Sequence, residues 1–114
     1  MTKESQNILL YLKMSAEQDA YRDWLVSLQT HEMLEHCYEF AVREDILFSM
    51  ESNDLTERQA KALLKSATPL ADVFRKFEKW ETGHMQNIWD CVVARANEVI
   101  RAEFIAKKQA ERNQ

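Results

Sequence analysis

Apolar residues recur along this chain at steps of three and four, the period of helices. Tyr21, Trp24, Leu25 and Leu28 fall at i, i+3, i+4 and i+7 and mark one apolar stripe. Ser15 stands three residues before Gln18, a capping-box spacing that predicts a helix start at that point. Ile8 to Met14 supply another turn or two upstream, joined to this helix or separate from it. A second helix, capped by Thr30, carries Leu34, Tyr38, Ala41 and Phe48 at helical spacing. Asp45 interrupts that line where an apolar residue is expected. A buried carboxylate without a partner is too costly, so Asp45 must lie at a core edge beside a basic residue or meet orphan amides of another helix.

The punctuation further on is sharper. Thr56 and Gln59 repeat the capping-box spacing and predict a short helix from Glu57 to Lys65. Ser66-Ala67-Thr68 breaks it, and Pro69 fits the first turn of the next helix, where its missing donor costs nothing. Leu70, Val73, Phe74 and Phe77 mark the buried face of that helix. The longest amphipathic run passes through Met85, Ile88, Trp89, Val92, Ala96, Val99, Ile100 and Phe104. Gly83 either ends the preceding helix as a left-handed cap or is a weak point in a continuous one. A polar tail over residues 106–114 should fray. The pattern therefore predicts an all-α fold: one domain over 1–114, ordered over about 8–105, as a compact bundle of four to five helices. Its long C-terminal helix packs against segments 16–28 and 31–51, and Trp24 and Trp89 are core residues.

Composition supports this. One glycine and one proline in 114 residues leave little for the turns that sheets need. The longest apolar runs fall well short of a membrane span, no export signal is evident, and a cytoplasmic location is expected. Cys37 and Cys91 are then expected as free thiols. The net charge of −4 gives no drive toward nucleic acid, and direct nucleic-acid binding is not expected. Charge is unevenly spread. Residues 31–54 hold Glu32, Glu35, Glu39, Glu44, Asp45, Glu51 and Asp54 against Arg43 alone, whereas 55–79 hold six basic residues and three acidic ones. Either the two segments neutralise each other by packing, or the first presents an acidic face to a basic partner.

Candidate chemistry is sparse. Glu81-x-x-His84 matches half of a di-iron bundle motif, but no second Glu-x-x-His exists. A mononuclear zinc site could draw on His31, His36, Cys37, Glu81, His84 and Cys91 if two helices pack face to face. The spacing is unspecific, and no metal or other cofactor is expected. The helix pair around Pro69 suggests a helix-turn-helix, but its second member mixes Asp72 and Glu78 with its basic residues. With a single glycine there is no phosphate-cradling loop or nucleophile elbow, so an enzyme is not expected. Trp80, between Lys79 and Glu81, suits an anchor at a partner surface.

At "AEQDAYRDWL", "EFAVREDIL", "NDLTERQAKALLKSATPLADVFRKFEKWETGHM" and "RANEVI" the chain resembles a family of small bacterial domains of unknown function, from about Ala16 to Ile100. The string "QAKALLKSATPLADVF" is the most specific part. Near position 30, where such domains tend to be proline-rich, this chain reads Gln-Thr-His-Glu. The resemblance implies a habitat on conjugative elements and prophages of gut-type Firmicutes, often beside anti-restriction domains. It implies no catalytic residues. The expectation is an interaction protein that inhibits a host defence nuclease, an anti-CRISPR protein on a Cas effector. Its contact surface would be Glu32, Glu35, Glu39, Glu44, Glu51 and Asp54, with Trp80. The alternatives are an accessory protein of the element that self-associates, as a homodimer burying Trp80, and a small zinc protein.

Overall fold

The computed structural model describes residues 2–80 and 83–113, with every side chain in that range except those of His84 and Met85. It holds five helices, α1 (Lys3–Val26), α2 (Thr30–Ser52), α3 (Glu57–Leu64), α4 (Pro69–Trp80) and α5 (His84–Arg112), and no strand among the described residues. The fold is all-α, as the periodicity predicts. The chain divides into two units, Met1–Lys79 and Trp80–Gln114.

In the first unit α1 packs against both α2 and α3. Its start differs from the expected one. Thr2 is the cap, its hydroxyl accepting from the Ser5 amide at 3.1 Å, and the helix runs without a break through Ser15. Neither glycine nor proline occurs between Lys3 and Val26, so propagation past Ser15 is cheap once the helix exists. Gln6, Leu10, Met14, Gln18 and Leu25 form its buried line. Leu10 and Met14 join Leu47 of α2, Ala60 of α3 and Leu70 of α4 in one core, with Ile46, Met50, Leu63, Leu64 and Val73 against it.

α2 turns the other way from the sequence expectation. Val42, Arg43 and Leu47 are its buried residues, whereas Leu34, Tyr38, Ala41 and Phe48 are exposed. Asp45 is exposed with them, so the interruption of that line needs no buried partner; Tyr38 of that line lies edge-on to Phe74 of α4 at 6.3 Å. α2 starts after Gln29, which makes no side-chain cap, and Thr30 is its first helical residue.

The α2–α3 and α3–α4 connections are tied to α1. The Asn7 side chain donates to the Leu55 carbonyl at 2.9 Å and accepts from the Leu55 amide at 3.0 Å, as a strand neighbour would. Thr56 and Gln59 form the expected capping box of α3. At the far end of α3, Lys13 Nζ donates to the carbonyls of Leu64 at 3.0 Å and Ser66 at 2.6 Å. One turn along α1, the Glu17 carboxylate accepts from the amides of Leu70 at 2.8 Å and Ala71 at 2.9 Å, in the first turn of α4. A cation thus sits where a helix ends and an anion where one begins, the signs that complement both dipoles. Asp72 closes the junction, accepting from Ser66 Oγ at 2.5 Å and Thr68 Oγ1 at 3.3 Å and pairing with Arg75 at 2.7 Å. These contacts, the Ser66 hydrogen bond first, hold its carboxyl below the usual range against a smaller opposing effect of burial.

In the second unit, α5 continues to Arg112 through the polar segment expected to fray, where alanine, lysine, glutamine and glutamate favour helix and nothing breaks it. Ile88, Trp89, Val92, Val93, Val99, Ile100 and Phe104 are exposed along it. Trp89 is therefore no core residue. Trp24 is exposed as well, its ring lying edge-on to His36 at 4.9 Å and tilted on Tyr21 at 5.6 Å. No helix is long and apolar enough to cross a membrane among the described residues. Gly83 has φ −93° and ψ 1°, a conformation open to any residue, so it is not a left-handed cap.

Replacing Glu17 by Ala orphans two amides and should lower stability by about 2 kcal/mol, read as the urea midpoint. Asp72→Asn tests the junction by pH. Because the folded carboxyl titrates below its unfolded value, its contribution is present above about pH 4 and disappears as pH falls through the folded value. The stability gap between wild type and Asp72→Asn should therefore narrow in acid, and a gap independent of pH would contradict this. A Cβ at Gly83 meets nothing within 4 Å, so Gly83→Ala should be neutral or stabilising by up to about 1 kcal/mol in thermal melts.

Candidate acidic interaction surface

The α1–α2 interface carries a polar cluster. Gln18, 2% exposed, donates both amide hydrogens to α2, to the Phe40 carbonyl at 3.1 Å and to Glu44 Oε1 at 3.0 Å. Those two acceptors fix the amide's orientation, and its oxygen has no donor. Arg43, 5% exposed, lies 4.0 Å over the Tyr21 ring and pairs with Glu39 at 2.6 Å. The ring and the carboxylate together accept a charge that would be prohibitive alone. Burial raises the Tyr21 hydroxyl above its ordinary range, Glu39 adds to the rise, and Arg43 opposes it.

The six carboxylates expected to form one contact surface follow two lines on α2. Glu32, Glu35 and Glu39 stand at i, i+3 and i+7; Glu44 and Glu51 stand seven apart on a different line. Three have internal duties: Glu39 pairs with Arg43, Glu44 accepts from Gln18, and Glu51 Oε1 accepts from the Tyr11 hydroxyl at 2.6 Å. Glu51 holds the Tyr11 hydroxyl above its ordinary pKa, chiefly through that hydrogen bond. Glu44 and Glu51 border a groove of about 290 Å³ between α1 and α2, together with Tyr11, Gln18, Asp19 and Phe48. Asp54 borders the adjoining hollow with Tyr11 and Glu51. The structure thus brings Glu44, Glu51 and Asp54 into one acidic seam and sets Glu32, Glu35 and Glu39 apart from it.

Between the two lines lies the exposed apolar line of α2, with Leu34 68% and Phe48 69% exposed. Trp80, at the end of α4, is 76% exposed. Of the residues considered for zinc, His31 is exposed and approaches Glu32 at 4.0 Å, His36 is half-buried against Trp24, and Cys37 donates to the Met33 carbonyl at 3.3 Å. Cys37 and Cys91 are free, as expected, and exposed. Glu81 lies outside the described residues, as does the His84 side chain. Among the described residues no three His, Cys, Asp or Glu side chains come together to hold a metal ion.

Periodicity alone misses Asp19, Tyr11 and Gln18 at the groove, and Arg43 beneath the interface. One signal was available. Gln6, Leu10, Met14 and Gln18 recur at steps of four, so long, flexible side chains, two of them amides, share the buried line of α1. A buried amide needs a partner on another helix, and that partner is not local in sequence.

No curated protein and no solved structure matches the chain. A family model described as "Protein of unknown function (DUF3848)" matches residues 6–100. That span takes in all but the first three residues of α1, all of α2 to α4 and more than half of α5, and the chain belongs to this family of unknown function.

Proposed function

We propose that this protein is a non-enzymatic interaction module that binds a basic partner through the acidic, partly apolar outer surface of α2 and its seam with α1. The observation that carries the reading is the exposed apolar line of α2 set between two lines of carboxylates. Exposed apolar residues rimmed by charge are the composition of a recognition surface. Carboxylates at such a rim act through steering and partner choice more than through raw affinity.

The finer reading is an inhibitor of a host defence nuclease made by a mobile element, with a CRISPR effector as its target. It rests on the habitat that the sequence resemblance implies. Such nucleases hold nucleic acid in basic channels, which an acidic surface can enter or block. A cytoplasmic location goes with that reading. The second reading, an accessory protein that self-associates, is favoured by the exposed apolar side chains along α5 and by Trp80.

One measurement separates them. Tagged protein incubated in nuclease-treated host lysate should retain a nucleic-acid-binding enzyme, and Glu32→Lys/Glu35→Lys/Glu44→Lys/Glu51→Lys should abolish the capture; capture unaffected by charge reversal removes the acidic-surface reading. An eluate without any host protein would move the assignment to the accessory role.

A further inference from the structure

On α5, Ile88, Val92, Ala96, Ile100 and Phe104 follow one another at steps of four, the spacing of side chains that form a single ridge on a helix. Val93 and Val99 stand three residues to either side of Ala96, and Trp89 and Glu103 seven. All of these are exposed, the large apolar ones by between 40% and 62%. Size is graded along the ridge. Its smallest side chain, Ala96, is at the midpoint, Val92 and Ile100 flank it, and Ile88 and Phe104 lie at the ends, about 24 Å apart along the axis. A helix surface of that shape suits a second helix that crosses it, closest at Ala96 and further off toward both ends.

We infer that α5 is the interface between two copies of this chain, whose helices cross antiparallel at Ala96 on a two-fold axis. A two-fold contact needs a patch that complements itself, so that i on j is matched by j on i. The residues of α5 meet that need about Ala96: Val92 faces the second copy's Ile100, Val93 its Val99 and Ile88 its Phe104. At a crossing angle of about −50° the two ridges run side by side, and alanine at the closest point lets the axes approach to about 8 Å. Glu103 sets the direction. In a parallel pair two Glu103 carboxylates would meet at one level within an apolar contact, where like charges are costly. Antiparallel, each lies beside the second copy's Trp89, whose indole N–H is a donor to it. The same carboxylate argues against a lipid surface as the occupant, because a helix lying in a bilayer interface keeps its charges off the apolar face.

One helix on one helix is a smaller contact than a standard interface, so a dissociation constant of about 10 µM is expected. Sedimentation of the full chain, kept reduced, should rise from the mass of one chain toward that of two between about 1 and 100 µM. Ala96→Glu puts two carboxylates on the axis at an exposed position, keeps a good helix former, and should weaken the dimer about a hundredfold. Ala96→Leu is the sharper variant. Leucine would strengthen a merely sticky helix, but at a close crossing it forces the axes apart and should weaken the dimer severalfold. Direction is read from disulfides in a Cys37→Ser/Cys91→Ser background. A Val92→Cys chain mixed with an Ile100→Cys chain in a glutathione redox buffer should join chiefly to it, whereas parallel helices would join like with like. A monomer throughout, a dimer indifferent to both changes at Ala96, or like-with-like disulfides would overturn the inference. The pairing uses no residue of α2, so host-protein capture lost on reversing its carboxylates tests the acidic surface alone, and a dimer lost on changing Ala96 tests α5 alone.

Discussion

Lys13 and Glu17, one turn apart on α1, hold the first unit together. An α-helix leaves donors orphaned at its start and acceptors at its end, and the short turn between α3 and α4 exposes both kinds within a few residues. Two opposite charges on one helix face answer both at once, Lys13 on the last carbonyl of α3 and that of Ser66 in the turn, and Glu17 on the first amides of α4. An eight-residue helix such as α3 is too short to be stable alone. Its capping box secures one end and α1 the other, while Ala60 and Leu70 carry the pair into the core.

The polar residues at the α1–α2 seam follow the same logic at a different depth. Gln18 and Arg43 are buried where apolar side chains would have been simpler; Gln18 is kept by acceptors across the interface, and Arg43 by the Tyr21 ring across it and by Glu39 on its own helix. Such groups fix how two helices align, because sliding by one residue would strand the Gln18 amide and take the Arg43 guanidinium off the Tyr21 ring. They also set the groove: Gln18 orients Glu44, and Tyr11 orients Glu51, so the acidic edge of the seam is held by the contacts that align the helices.

Local signals in the sequence proved readable and nonlocal ones did not. The Thr56–Gln59 box and the Pro69 start depend on residues within one turn, and both are where the spacing puts them. The Ser15–Gln18 pair has the same spacing but sits within a longer helix whose start lies upstream, so spacing without a break misleads. The face of α2 is a harder case. Leu34, Tyr38, Ala41 and Phe48 make as good an apolar line as Val42, Ile46 and Leu47 make a buried one, and only the position of α1 and the core decides between them. Asp45 was the clue, since a carboxylate on an apolar line argues that the line is outside. The carboxylates and their two lines follow from spacing along α2, but which line borders the seam depends on where α1 packs.

Cys37 belongs to the first unit and Cys91 to the second, and both thiols are free and exposed. The chain therefore carries one natural attachment point on each unit and no third cysteine to compete. A donor and an acceptor dye coupled to these two sulfurs make the unaltered protein a ruler for the separation of its own units in solution, and binding that draws the units together or parts them is read directly as a change in energy transfer.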